Sequence, residues 1–104
     1  MGTSLRSHNV VVSGHRTSMR LEPEMWSALR EIAGREKMSI NQLCGLINKV
    51  RDKSSLTSAV RVFILAYFRS VAKQLEAPQF VGGRAPLDLA LGLTRQQVTM
   101  GPRA

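Results

Sequence analysis

Residues 15–26 read His15-Arg16-Thr17-Ser18-Met19-Arg20-Leu21-Glu22-Pro23-Glu24-Met25-Trp26. From Arg16 to Leu21 polar and apolar side chains alternate, with Arg16, Ser18 and Arg20 on one side and Thr17, Met19 and Leu21 on the other. Successive side chains of a strand point to opposite faces, so this stretch is a strand with one apolar face and one basic, polar face. At Pro23 the period changes to that of a helix, and proline's fixed φ suits the first helical position. An isolated strand is not stable in water, and no second strand of matching pattern follows it. The expected partner is the same strand of a second copy, giving one short strand per chain, paired antiparallel across a homodimer.

Two helices follow. The first starts at Pro23, with Glu22 and Glu24 at the positive end of its dipole, buries Trp26, Leu29, Ile32 and Ala33, and ends near Lys37. The second opens on a capping box, Ser39-Ile40-Asn41-Gln42, in which serine caps and glutamine reaches back. Leu43, Cys44 and Ile47 then repeat at helical spacing. A third helix is expected with Thr57 as its cap and Leu56 and Val60 as a hydrophobic staple. From Ala59 to Phe68 it is apolar on nearly every side except Arg61, which calls for burial on more than one face and hence for a second subunit.

The chain has 104 residues and a formal net charge of +8, which favours an anionic partner. The basic excess is spread along the chain, so it belongs to a folded surface and not to a polybasic tail. One cysteine excludes an internal disulfide and fits a reducing compartment. No signal-peptide pattern or membrane-length apolar run is present. The expected location is the cytoplasm. His8, His15 and Cys44 match no metal-ligand spacing, and no nucleophile–base pair, carboxylate pair or phosphate-cradling glycine loop occurs. Neither metal, cofactor nor enzymatic activity is expected. Three segments result: a flexible arm at 1–14, in which Val10, Val11 and Val12 favour extended backbone and, if ordered, continue the ribbon with a bulge at Gly14; a domain at 15–76; and a mobile tail at 77–104 rich in proline, glycine and small residues. Within that tail, 87–93 would form a short docking helix if an apolar surface received it.

Strand, proline-started helix and capped helix, with the strand reading Arg-Thr-Ser-Met-Arg-Leu-Glu-Pro-Glu, resemble the Arc/MetJ-type ribbon-helix-helix family of bacterial DNA-binding proteins. The resemblance covers about residues 15–52, and residues 55–63 are similar to the extension of a subgroup with a third, C-terminal helix. It implies a mainly α fold in which two chains pair strands and insert the ribbon into the DNA major groove. By that resemblance Arg16, Ser18 and Arg20 read bases. Ser39, Ile40 and Asn41 at the second helix's N-terminus hold a backbone phosphate, with Lys37 and His15 adding to that contact. Thr17, Met19, Leu21, Trp26, Leu29, Ile32, Leu43 and Ile47 form the dimer core. Two copies of the reading triplet imply a roughly palindromic operator, bound by a homodimer or by paired dimers.

The leading expectation is therefore a sequence-specific transcriptional regulator, a repressor, whose partner is double-stranded DNA and not a membrane. Two alternatives carry their own motives. An antitoxin would capture a toxin with the tail, through Leu87, Leu89, Leu91 and Leu93. A dimeric adaptor would dock another protein on the apolar 59–68 segment.

Overall fold

A computed structural model describes residues 4–76 and 86–99. Its first element precedes the quoted strand: β1 (Arg6–Val12) runs antiparallel to β2 (His15–Leu21). Ser13 and Gly14 alone join them, at φ 53° and 78°. Two successive positive φ values are what a two-residue type I′ turn requires, and its twist matches that of the strands it joins. Glycine takes such a φ freely, whereas serine does so at a cost on the order of 1 kcal/mol.

The hairpin corrects the expectation of one strand per chain: β2 has a partner strand within its own chain. The segment expected as a flexible arm contains one of its strands. Closing a two-residue loop costs little chain entropy, while recruiting a second molecule costs an estimated 4–15 kcal/mol or more. Val10 lies opposite Thr17 and Val12 opposite His15, and both valines are buried. They extend the apolar inner face of the ribbon.

Four helices follow: α1 (Pro23–Arg35), α2 (Ile40–Val50), α3 (Leu56–Glu76) and α4 (Pro86–Thr99). The chain is mainly helical, as expected. Pro23 opens α1 behind Glu22, whose side chain makes no cap bond. The Glu22 carboxylate instead receives Arg61 of α3 at 3.0 Å. Its own backbone N–H first, and then Arg61, hold this carboxyl below its usual range. α1 ends where Lys37 takes φ 58°. Met38 N–H then bonds Ala33 O at 3.0 Å and Lys37 N–H bonds Gly34 O at 3.2 Å, the paired bonds of a Schellman motif. This sharp stop delivers the chain directly to the Ser39 capping box, which is fully formed.

The expected cap of α3 is corrected by two residues. Ser55 Oγ accepts Ser58 N–H at 3.0 Å and Ser55 O accepts Ala59 N–H at 3.0 Å. Serine is the better cap, and it leaves Thr57 inside the first turn. Ala59, Val60, Phe63, Ile64 and Tyr67 are buried among residues of the other elements, so α3 needs no second subunit to hide these positions. Part of its remaining side is received by α4, where Ala90 is fully buried and Leu87 and Leu91 rest against the core, while Leu65 and Leu75 stay exposed. Residues 86–99 of the expected mobile tail are thus a packed helix; the rest of that tail, 77–85 and 100–104, lies outside the described residues. The sequence condition for helix formation at 87–93 was an apolar receiver, and α3 is that receiver.

Met19, Leu21, Trp26, Leu29, Ile32, Leu43 and Ile47 are all buried and Thr17 is half-buried within one chain. Cys44 lies among them, and burial pushes its thiol up to about 11 from 9.0. A group with a raised folded pKa stabilises the fold fully below its unfolded pKa and ceases to do so as pH passes the folded value. Stability should therefore fall between pH 9 and about 11, by about 2–3 kcal/mol in all from this thiol. Urea titrations of wild type and Cys44→Ala across that range check it: the alanine variant should lose less stability over the same interval.

Candidate nucleic-acid interface

The hairpin register decides which side chains share a face. Ser7 is opposite Arg20, Asn9 opposite Ser18 and Val11 opposite Arg16, and residues directly opposite point the same way. All six are exposed, whereas the other face buries Val10, Val12, Met19 and Leu21 against the helices. One chain therefore presents a two-stranded ribbon with a polar, basic outer face. Arg16, Ser18 and Arg20 line one strand of it, as the alternation indicated, and Ser7, Asn9 and Val11 line the other. Ser7 and Ser18 share a hydrogen bond between their hydroxyls at 2.8 Å.

Sequence reasoning did not find Ser7, Asn9 and Val11 as a face because it read the valines only as a possible extended arm and not as a strand paired back on β2. The usable signal was the Ser13-Gly14 pair, which marks a tight turn and, once taken as one, fixes the register of the preceding residues.

The ribbon is held against the helices on its β1 side. Trp26 Nε1–H donates to Arg6 O at 2.9 Å, and the His8 ring meets the Trp26 ring edge-on with centroids 4.6 Å apart. Val11 N–H donates to Asn41 Oδ1 at 3.0 Å. This last bond ties the outer edge of β1 to the first turn of α2.

At that first turn Ser39 Oγ accepts Gln42 N–H at 3.0 Å, and Gln42 Oε1 accepts Ser39 N–H at 2.8 Å. The box takes up two donors and leaves the N–H groups of Ile40 and Asn41 for an outside acceptor. Asn41's side-chain oxygen is engaged by Val11, so what it offers an anion is its backbone N–H. A shallow groove of about 290 Å³ lies here, lined by residues that include His8, Asn9, Arg30, Ile40 and Asn41. Arg30 is exposed and brings a guanidinium to the same groove. Lys37 is exposed two residues before the cap, and His15 is exposed at the hairpin tip opposite Val12.

The far side of the molecule is built differently. Tyr67 O–H donates to Glu36 Oε2 at 2.6 Å, and Arg35 Nε–H donates to the Tyr67 oxygen at 3.4 Å. These bonds pin the end of α1 to α3. Burial first, then the Glu36 hydrogen bond, raise the Tyr67 phenol. Among the described residues no group of three His, Cys, Asp or Glu side chains is placed to hold a metal ion, and no helix is long and apolar enough to cross a membrane.

Comparison with known families matches residues 5–68 to the ribbon-helix-helix domain. That span covers more than half of the chain and includes both strands, α1, α2 and α3 as far as Phe68. No curated protein and no solved structure matches the chain.

Proposed function

The chain belongs to the ribbon-helix-helix family, and on that premise we propose that it is a sequence-specific transcriptional regulator, a repressor, that reads the DNA major groove with its hairpin. Members of the family bind DNA and form dimers, and they are generally regulators or antitoxins and not enzymes. The observation that supports the regulator reading most strongly is the outer ribbon face. Arg16 and Arg20 stand exposed on alternate positions of a strand whose other face is anchored in the core. A two-stranded ribbon fits the major groove, and arginine matches O6 and N7 of guanine with two hydrogen bonds.

The phosphate contact follows at the groove beside the ribbon. Ile40 and Asn41 N–H at the positive end of α2 suit a phosphate oxygen, and Arg30 adds a neighbouring cation. Ser39 shapes that turn through its capping box. Lys37 and His15, both exposed, are the further phosphate contacts of this reading. Such contacts set register without reading sequence.

The alternatives have weaker support. Antitoxin activity was expected from a free tail; Leu87 and Leu91 of that tail are packed on the chain's own core, while Leu93 is exposed. The adaptor reading needed an open 59–68 face, most of which is covered.

Binding to genomic fragments across a salt series tests the proposal. Neutralising 6–10 phosphates should cost about 10³–10⁵ in affinity between 50 and 200 mM salt, with a subset of fragments retained over competitor DNA. Affinity that barely moves with salt, or equal retention of all fragments, would sink it.

A further inference from the structure

We propose that the groove between α3 and α4 docks an acidic amphipathic helix of another protein, with that helix's apolar residues on the groove floor and its carboxylates on Arg69 and Lys73. No lining residue belongs to the ribbon or to the first turn of α2, so the proposal does not rest on the DNA reading. Both cations and Leu93 lie past Phe68, where the family match ends, so membership of the family does not bring them.

The groove has a volume of about 390 Å³. Ala66 and Ser70, both buried, and half-buried Val62 form its floor. Ser70 Oγ–H donates to Ala66 O at 3.0 Å, so the floor's hydroxyl is turned back into its own helix and the surface presented is carbon. Leu65 of α3, 60 % exposed, and Leu93 of α4, 47 % exposed, stand on either side. A lone exposed leucine is ordinary, but two from different helices bordering one hollow mark a contact surface. Leu65, Arg69 and Lys73 follow at four-residue spacing and therefore share one stripe of α3. Both cations are exposed, and neither has an ion-pair partner among the described residues.

Shape and charge choose the occupant. Small ligands are enclosed over most of their surface, whereas this groove is open to solvent between its two leucines. A membrane takes up a protruding apolar face, and here the leucines flank a hollow. An amphipathic helix lays anchors at i, i+3 or i+4 and i+7 into such a hollow. Glutamates four residues apart on its flank would match Arg69 and Lys73, whose Cβ atoms at that spacing are about 6 Å apart. A two-fold pairing of copies through this groove would set Arg69 and Lys73 against the same cations, which like-charge repulsion opposes. Residues 77–85 and 95–104 contain no Asp or Glu, so those segments of the chain do not carry the complementary side chains either. The complementary charge has to come from a different, acidic protein.

Selection of helical peptides from a displayed random library by the full chain tests this. Enriched sequences should carry apolar residues at i, i+3 or i+4 and i+7, with Asp or Glu on the adjoining flank. Titrating one such peptide should shift amide resonances chiefly at Val62, Leu65, Arg69 and Leu93. Leu65→Ala should weaken its binding about 10-fold. The double variant Arg69→Glu/Lys73→Glu should also bind it about 10-fold more weakly. That variant should bind the same peptide with lysines in place of its acidic residues better than wild type does, a gain that damage to the fold does not produce. The proposal is wrong if no acidic helix is enriched, if the shifted amides lie elsewhere, or if charge reversal leaves affinity unchanged. Phosphatidylserine vesicles bound by wild type and released by the double variant, with no peptide enriched, would make the groove a lipid contact and overturn it. A dimer dispersed by Leu65→Glu would overturn it as well, assigning the face to a second copy.

Discussion

Replacing Arg16 and Arg20 together by alanine should abolish sequence discrimination while leaving a folded protein that still binds DNA weakly. Both side chains are exposed and neither takes part in an ion pair or a hydrogen bond among the described residues, so their loss removes nothing that the fold uses. Exposed substitutions of this kind usually change stability by no more than about 0.5 kcal/mol. Each bidentate arginine–guanine pair contributes roughly 1–3 kcal/mol of discrimination, so two independent pairs amount to about 2–6 kcal/mol, or roughly 30- to 10⁴-fold. Competition binding at one fixed salt concentration, with specific and random duplexes, measures it. The two affinities should converge in the double variant, and thermal unfolding should be unchanged.

Trp26→Ala should produce the largest loss of stability from a single substitution, because Trp26 joins three things at once. Its indole is buried under the ribbon, its N–H holds Arg6 O, and its ring carries the edge of His8. Truncating a buried aromatic costs about 3–5 kcal/mol, a large part of the 5–15 kcal/mol typical of a whole domain. Trp26→Phe keeps most of the packing and removes the hydrogen bond, which is worth about 0.5–1.5 kcal/mol. Urea unfolding should therefore rank wild type above phenylalanine and phenylalanine well above alanine. Hydrogen exchange at Val10 and Val12 should speed up most, since β1 is what the indole anchors.

The contrast between the two strands shows how far the sequence carried the fold. β2 was legible because every apolar residue of its alternating stretch points inward and every cation outward. β1 was not, because Arg6 and His8 occupy inner positions and Val11 an outer one. Three consecutive valines show β propensity but no period of two. The capping box at Ser39 and the proline start of α1 were legible because both are local chemistry. The packing of α4 was not, since an amphipathic segment does not name its receiver, and part of the surplus apolar surface of α3 that was assigned to a second chain is covered by a later helix. Surplus hydrophobicity shows that a partner is needed, without saying whether it comes in cis or in trans. Of the candidate site, the β2 triplet could be read from pattern, and Arg30 and the β1 residues required the tertiary arrangement.

The central claim is that this hairpin works from the major groove, and methylation interference on a bound fragment tests it most directly. Dimethyl sulfate marks guanine N7 in the major groove and adenine N3 in the minor groove. If Arg16 and Arg20 bond guanine, N7 methylation at two guanines about four base steps apart should block binding, and each block should vanish in the matching alanine variant. Interference confined to adenine N3, or none at guanine N7, would contradict the account.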